Sequence, residues 1–381
     1  MSYLMKEAIV SSVDGKPSVE LKDVPIPDPP SPTDVVIKVA VSGSNPKDWK
    51  YPEWTKQAAN SGDDIAGTVH SVGSAVKTFH PGDRVMAFHV MRTPHGSFAE
   101  YAVAPAHTTV HLPDHTSFEE GAAIPLAALT AGVALFVRLG LPLPWAEGAV
   151  DGFASKDKDE SASRSGFGVK GKPLQRAGPL IIYGAASAVG AYAIQLAKRA
   201  GIGPLICVAG KGIPFVEGLI DQKTGDVIVD YRKGDDAVVA AIKGAVGPGK
   251  EILYCFDGVS EHNSSENAAK AMGGKGAKIT RVLPMVNDDG QFSTEDAWVI
   301  EGVETSKTMV ADVHASQTDF GQALTSLLGK GLQEGWFKAH PQTVISGGLV
   351  GVQEGLTNLK EGKASATKYV FRIADTPGVG E

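Results

Sequence analysis

A run of small residues between an apolar strand and a helix is the feature of this sequence with the clearest chemical use. From Leu180 to Gly201 the chain reads LIIY, then GAASAVG, then AYAIQLAKRAG. Small side chains let the backbone approach a pyrophosphate, and the amides and dipole of a helix start stabilise its charge. A purely structural turn is the alternative, because the glycine pattern is incomplete. The predicted dinucleotide-binding residues are Gly184, Ala186, Ser187, Ala188, Val189 and Gly190.

The ends of the next two strands predict which dinucleotide binds. An acidic residue about 20 residues after the glycine turn usually holds the free ribose hydroxyl of NAD. The segment PLICVAGKG has no such acid and offers Gly210 and Lys211, and the following strand ends with Tyr231 and Arg232. Arg232 can form paired hydrogen bonds with a 2′-phosphate, and Tyr231 can stack. We therefore predict NADPH as the cofactor, with solvated strand-end side chains as the alternative.

The elements that must position these residues change character along the chain. Residues 1 to about 125 are rich in valine, isoleucine and threonine with regular turn formers, which predicts short strands of an all-β domain. Helical spacing begins near Ile124, in GAAIPLAALTAGVALFVRLG. From Leu180, strands alternate with helical or loop segments, which specifies a parallel sheet covered by helices. The last 45 or so residues return to a strand-like pattern that ends in KYVFRI.

Composition excludes several classes of protein. The 381 residues, 43% hydrophobic, suffice for two domains, and 36 − 43 gives a net charge of −7. Capture of nucleic acid or an anionic membrane is therefore not expected, and no apolar stretch predicts a membrane span or signal peptide. The two cysteines, Cys207 and Cys255, lie in apolar runs and form neither a disulfide framework nor a zinc cluster. A cytoplasmic protein is the expectation.

Seven ordered segments resemble the medium-chain dehydrogenase/reductase superfamily, in its zinc-independent quinone oxidoreductase and enoyl reductase branch. GLPLP, followed by a polar insertion, is most similar to fungal trans-acting enoyl reductases and ToxD-like proteins. The seven segments are NPKDWK at residues 45–50, GDDIAGTVHSVGSAVKTFHPGDRV from Gly62, GSFAEYAV from Gly96, AAIPLAALTA from Ala122, GAASAVG, VDYR and KASATKYVFR.

The resemblance implies an α/β architecture in which a Rossmann doubly wound parallel sheet is combined with a GroES-like β domain. The GroES-like domain would span residues 1–125 and be completed by about 336–381. The Rossmann NADP-binding domain would span 126–335, with an exposed insertion at about 145–178. That insertion is rich in glycine, serine, lysine and aspartate, and a binding arm is the alternative to a solvated excursion.

The resemblance also implies a site in a cleft between the two domains, with hydride transfer from NADPH to an activated C=C bond of an enoyl or enone substrate. Lys47 and Tyr51 are the predicted catalytic residues, since either could donate a hydrogen bond or proton to the resulting enolate. A surface role for both is the alternative. The further cofactor-binding residues implied are Asn45, Pro46, Lys47, Asp48, Trp49, Thr130 and Lys368.

Two departures from the zinc-dependent relatives imply a metal-independent reaction. Where those enzymes have a cysteine and a histidine as zinc ligands, this chain has Asn45 and Asp63. Quinone reduction and NADPH binding without turnover remain as alternative functions. The expected partners are the small-molecule substrate and, through the trans-acting resemblance, a polyketide synthase, with a monomer or homodimer as the assembly.

Overall fold

The computed structural model describes residues 4–145, 177–283 and 300–379. The chain divides into two units, one of Met1–Leu129 with Ala311–Glu381 and the other of Thr130–Val310. The first unit resumes at Ala311, ahead of residue 336, and includes a helix that begins at residue 318. The Leu332 carbonyl of that helix lies 3.2 Å from Nε2 of His115. Most of the segment predicted as an exposed insertion, 145–178, lies outside the described residues.

The first 132 residues supply most strands of the first unit. Its helical end begins with a capping box, in which the Ser117 side chain accepts from the Glu120 amide and the Glu120 side chain accepts from the Ser117 amide. This pair of bonds explains why a helix starts after Ser117. The elements are β1 Leu4–Val13, β2 Lys16–Pro25, β3 Asp34–Gly43, α1 Lys47–Thr55, β4 Asp64–Val72, β5 Arg84–Phe88, β6 Tyr101–Pro105, β7 Thr109–His111, α2 Phe118–Ala122 and α3 Pro125–Gly132.

The middle of the chain alternates strands and helices, as its sequence predicts. It opens with a π-helical segment, Val133–Arg138, and contains short 3-10 turns at Gln222–Thr224 and Tyr231–Lys233. The elements are β8 Leu180–Tyr183, α4 Ala188–Arg199, β9 Leu205–Ala209, α5 Ile213–Glu217, β10 Val227–Asp230, α6 Asp235–Gly244, β11 Tyr254–Asp257, α7 Ser264–Ala271, β12 Ala277–Arg281 and β13 Val303–Lys307.

The C-terminal elements return to the first unit and complete its sheet. That sheet has the order β14-β15-β3-β4-β5-β7, with β6 also paired to β3, and only the β14–β15 pair is parallel. β1 and β2 form a separate antiparallel pair. The added elements are α8 Thr318–Glu334, β14 Gln342–Val344, α9 Val352–Lys360 and β15 Lys368–Arg372, with 3-10 turns at Ala106–Thr108, Val310–His314 and Ile373–Asp375.

The second unit is built on a parallel sheet of order β10-β9-β8-β11-β12-β13. β8 and β9 are buried throughout, as expected for strands covered by helices on both faces. Strand order reverses between β8 and β11. In doubly wound sheets, ligands bind beyond the carboxyl ends of the strands at this point. The loops after β8 and β11 therefore flank the switch point of this sheet.

Both cysteines lie inside this parallel sheet. Cys207 of β9 and Cys255 of β11 pair with Ile182 and Ile181 of β8, from its two sides, and neither is exposed. Burial raises the pKa of both thiols well above the ordinary value. Neither thiol is therefore a nucleophile in the folded protein.

Candidate functional site

The turn between β3 and α1 carries the NPKD segment and is held by a buried carboxylate. Asp64, the first residue of β4, is fully buried. One of its oxygens accepts from the Leu126 amide at 2.6 Å, and the other accepts from Asn45 Nδ2 at 2.7 Å and Lys368 Nζ at 2.6 Å. Lys368 also donates to Asn45 Oδ1 at 3.1 Å. Two predicted site residues, Asn45 and Lys368, therefore meet on an aspartate that sequence reasoning did not single out.

Lys47 lies in a second cluster, beside two other carboxylates. Its ammonium is 2.9 Å from Asp48 Oδ1, contacts Asp63 Oδ2 and donates to the Ser61 carbonyl at 2.5 Å. Burial alone would lower the pKa of Lys47, but Asp48 and Asp63 raise it well above its usual range. The lysine is therefore an ammonium ion at any physiological pH.

The two acids of this cluster are themselves perturbed. Burial raises the pKa of Asp48 to about 7 and that of Asp63 to about 6, although the Lys47 ammonium opposes both shifts. Asp48 also accepts from the Asn45 amide at 2.7 Å. One ammonium cannot neutralise two buried carboxylates, so the pair retains a proton closer to neutral pH than ordinary acids do.

Tyr51 follows Lys47 by one helical turn of α1, so the two side chains share a face of that helix. The Tyr51 hydroxyl donates to Gln57 Oε1 at 3.2 Å in an exposed bond, and the Arg92 guanidinium lies 5.9 Å from the ring centre. A ligand can replace such a partner at little cost. Tyr51 is therefore available as a donor to a bound molecule.

The remaining predicted residues, Pro46, Trp49 and Thr130, have surroundings of their own. Pro46 is exposed at the start of α1. Trp49 packs against the core of the first unit, and the Lys360 ammonium lies 4.8 Å from its ring centre. Thr130 is a buried residue of α3. Contact of Pro46, Trp49 and Thr130 with a cofactor stays a prediction.

The turn between β8 and α4 has the geometry of an anion-binding site. Ser187 caps α4: its hydroxyl accepts from the Gly190 amide at 3.1 Å and donates to the Gly184 carbonyl at 2.7 Å. A side chain at Gly190 would collide with that carbonyl, so the turn needs glycine there. The first helical bond accepted by the Ser187 carbonyl comes from Ala191, which leaves the amides of Ala188 and Val189 unused at the helix start.

The loop after β11 lies against the same turn, and the sequence did not predict it as part of the site. Asp257, fully buried at the end of β11, accepts from the amides of Val259 and Ser260 at 2.9 Å each and from the hydroxyls of Ser264 and Ser265. The Gly258 amide donates to the Tyr183 carbonyl at 3.0 Å, which ties this loop to β8. An aspartate ending an apolar strand was the available signal.

The residues predicted to select the cofactor form two groups. Gly210 lies against the ring of Tyr231, and Lys211 is exposed beside it. Arg232 instead forms a paired contact with Asp230, with Nε–Oδ1 and Nη2–Oδ2 distances of 2.8 and 2.7 Å. Hydrogen bonds from Arg232 lower the pKa of Asp230 to about 2.

Two kinds of feature are absent from the described part of the chain. Over residues 4–145, 177–283 and 300–379, no group of three or more histidine, cysteine, aspartate or glutamate side chains is arranged to hold a metal ion. In the same ranges no helix is both long enough and apolar enough to cross a membrane.

The chain is similar to a known domain family and to two trans-enoyl reductases. Residues 31–114 match the alcohol dehydrogenase GroES-like domain. The chain is 43% identical over 345 residues to the trans-enoyl reductase fsr4 of Gibberella fujikuroi, covering 90% of this chain and 91% of that protein. It is 31% identical over 383 residues to the trans-enoyl reductase resD of Aspergillus sclerotiorum, covering 96% and 100%.

Solved structures share the fold at lower identity. The CurK enoyl reductase has a TM-score of 0.69 at 18% identity, with 96% of this chain and 98% of that chain covered. The quinone oxidoreductase of Pseudomonas syringae pv. Tomato has a TM-score of 0.68 at 23% identity, with 96% and 100% covered. The predicted combination of a GroES-like domain with a Rossmann sheet is confirmed.

Proposed function

Because the chain belongs to the family of fungal trans-enoyl reductases, which are hydride-transfer oxidoreductases, we propose that it reduces the activated C=C bond of an enoyl or enone substrate with NADPH. The observation that carries this proposal is the 43% identity to a trans-enoyl reductase over 90% of the chain. The resemblance found in the sequence is thereby confirmed at the level of the family.

The fold implies a nicotinamide cofactor, and the turn after β8 fits its pyrophosphate. The amides of Ala188 and Val189 stand unused at the start of α4, where the helix dipole favours negative charge. The Ser187 hydroxyl already gives its single proton to the Gly184 carbonyl. We therefore assign the pyrophosphate to the backbone of Ala186–Gly190 and give Ser187 the role of shaping the turn.

We assign the choice of NADPH over NADH to Lys211, Tyr231 and Arg232. Lys211 is exposed in the loop after β9. Arg232 donates two of its five side-chain N–H groups to Asp230, and the other three are left for a phosphate. Tyr231 offers a half-exposed ring beside both cations. These features support a site for the 2′-phosphate.

The chemistry then needs little from the protein beyond placement and a proton donor. When bound, NADPH supplies the hydride that adds to the β carbon of the substrate. The carbonyl oxygen gains negative charge and the α carbon needs a proton. We assign the hydrogen bond to the carbonyl oxygen to Lys47, which stays charged, and the proton for the α carbon to Tyr51, whose hydroxyl has an exchangeable partner and regains its proton from solvent. Asn45 and Asp48 hold the turn that presents them.

We propose that the reaction needs no metal, because the two positions that hold zinc ligands in the resembling zinc enzymes carry Asn45 and Asp63. Asn45 is bonded to Asp64 and Lys368, and Asp63 is paired with Lys47. We also propose that a separate enzyme, a polyketide synthase, supplies the unsaturated substrate, as the trans-acting resemblance implies.

Stopped-flow oxidation of NADPH tests this function. Enoyl thioesters and enones should oxidise NADPH, and simple quinones should react more slowly. Lys47→Met or Tyr51→Phe should slow turnover about 10- to 1000-fold, since each removes one donor. Tyr101→Phe in β6 is the matched control and should leave the rate unchanged. Oxidation by quinones alone would replace the enoyl assignment, and no oxidation by any acceptor would refute the reductase.

A further inference from the structure

Asp63 differs from the other buried aspartates in how few partners it has. Asp64 accepts three hydrogen bonds, Asp257 accepts four and Asp226 accepts two from backbone amides. Asp63 is 1% exposed, and the one described group that meets its carboxylate is the Lys47 ammonium. A buried carboxylate with one partner is costly and signals a use beyond stability.

Lys47 in turn has no donor to spare in this arrangement. An ammonium has three N–H bonds, and three oxygens lie within 2.9 Å of it, on Asp48, Asp63 and Ser61. The Asp48 carboxylate is also needed by the Asn45 amide, and the Ser61 hydroxyl ties that residue to the Asp48 carbonyl at 2.9 Å. Asp63 has no second partner among the described residues, so in its ionised form it depends on Lys47 alone, and this bond weakens when Asp63 takes up a proton.

We propose that Asp63 is a positioning residue for Lys47: ionised, it holds the ammonium within the cluster, and protonated, it releases one Lys47 N–H to the oxygen of the substrate. The inference rests on the proposed function, in which Lys47 meets the developing oxyanion. One proton moves between solvent and Asp63, and no bond to carbon forms or breaks in this step. The 22% exposed side chain of Lys47 is the cluster's contact with solvent.

The charged and titratable groups around Asp63 act on its pKa in both directions. Lys47 and Arg92 stabilise its charge, whereas Asp48 and the adjacent Asp64 oppose it. His89, whose amide donates to the Asp63 carbonyl, is buried and has a lowered pKa, so it adds no charge near neutral pH. Burial raises the pKa of Asp63 to about 6, within the working range of enzymes.

The test is the pH dependence of kcat/KM in wild type and Asp63→Asn at saturating NADPH. Wild type should lose about tenfold per pH unit above about pH 6, as a single required proton dissociates. Asp63→Asn cannot ionise, so its kcat/KM should stay level to within about threefold and match the acid limit of wild type. Asp23→Asn, an exposed acid in β2, should keep the wild-type profile. Lys47→Met with Asp63→Asn should be no faster than Lys47→Met.

An alkaline limb that persists in Asp63→Asn, or a uniform loss of rate at every pH, would overturn the proposal. A second readout needs neither substrate nor cofactor: the infrared band of a protonated carboxylic acid. In the wild type minus Asp63→Asn difference spectrum, which removes the bands of Asp48 and the ordinary acids, this band should be present at about pH 5 and lost by about pH 8. Its absence from wild type also overturns the proposal. If none of the tested acceptors supports NADPH oxidation by wild type, the proposed function fails. The infrared result alone then decides the protonation state of Asp63.

Discussion

The ring of Tyr231 lies directly on Gly210: a Cβ added to the glycine would meet ring atoms Cε1 and Cζ at 2.6 Å. The contact joins the loop after β9 to the loop after β10. It therefore sets the distance between Lys211, which follows Gly210, and Arg232, which follows Tyr231. A site for a phosphate built from both cations depends on this glycine.

Gly210→Ala should displace Tyr231 and weaken NADPH binding about 2- to 10-fold, the size of one ring contact. Fluorescence titration of NADPH measures the change. Gly244→Ala, at the end of α6 where an added Cβ meets nothing within 4 Å, is the matched control and should bind normally. Equal affinity in both variants would contradict the role of Tyr231.

Lys211→Ala should weaken NADPH binding by about 1.5 to 3 kcal/mol, the value of a hydrogen bond to a charged group, and leave NADH binding nearly unchanged. Arg232→Ala should act in the same direction. Because Arg232 is paired with Asp230, Asp230→Asn should strengthen NADPH binding by removing a competing charge. Calorimetry with both cofactors checks all three variants, and equal losses for NADPH and NADH would refute the assignment.

Lys368→Met should destabilise the protein by about 3 to 5 kcal/mol, since it leaves the buried Asp64 without its cation. Urea unfolding measures this. The matched control lies four residues on in the same strand: Arg372→Met breaks an exposed pair with Glu119 and should change the free energy of unfolding little. If Lys368→Met were as stable as Arg372→Met, the buried pair would not hold the NPKD turn.

His314 should make the fold sensitive to acid. Burial, with repulsion from His107 and His89, lowers its pKa to about 3, against about 6.5 in the unfolded chain. The unfolded chain therefore binds the proton first, and stability is lost as pH falls from about 6.5 toward about 3, by at most about 1.4 kcal/mol per unit. His314→Phe keeps the ring on Phe88 and should flatten this dependence in urea unfolding. His80→Gln, at an exposed histidine, should retain it.

The fold was predictable where local pattern and tertiary environment agree. β8 and β9 are continuous apolar runs because helices cover both sheet faces, so the letters alone reveal them. β13 reads VETSK and lies at the sheet edge, half-buried. Its strand character comes from pairing with β12, which no local propensity records.

The candidate site divides in the same way. Ser187 is recognisable as a helix N-cap from its type and place, and that role explains why its hydroxyl is committed within the turn. Asp63 meets Lys47, which is nearby in the sequence, but Lys368, the partner of Asp64, is 304 residues away. Such pairing follows from sheet order, which a single sequence does not reveal.

The burial of Cys207 and Cys255 makes the protein suited to site-specific labelling. They are the two thiols of the whole chain, and neither is exposed or readily ionised. A cysteine introduced on the surface would therefore react with a maleimide fluorophore while the native pair stays unmodified. Slow modification of the native pair would then time the opening of the central parallel sheet, strand by strand around β8.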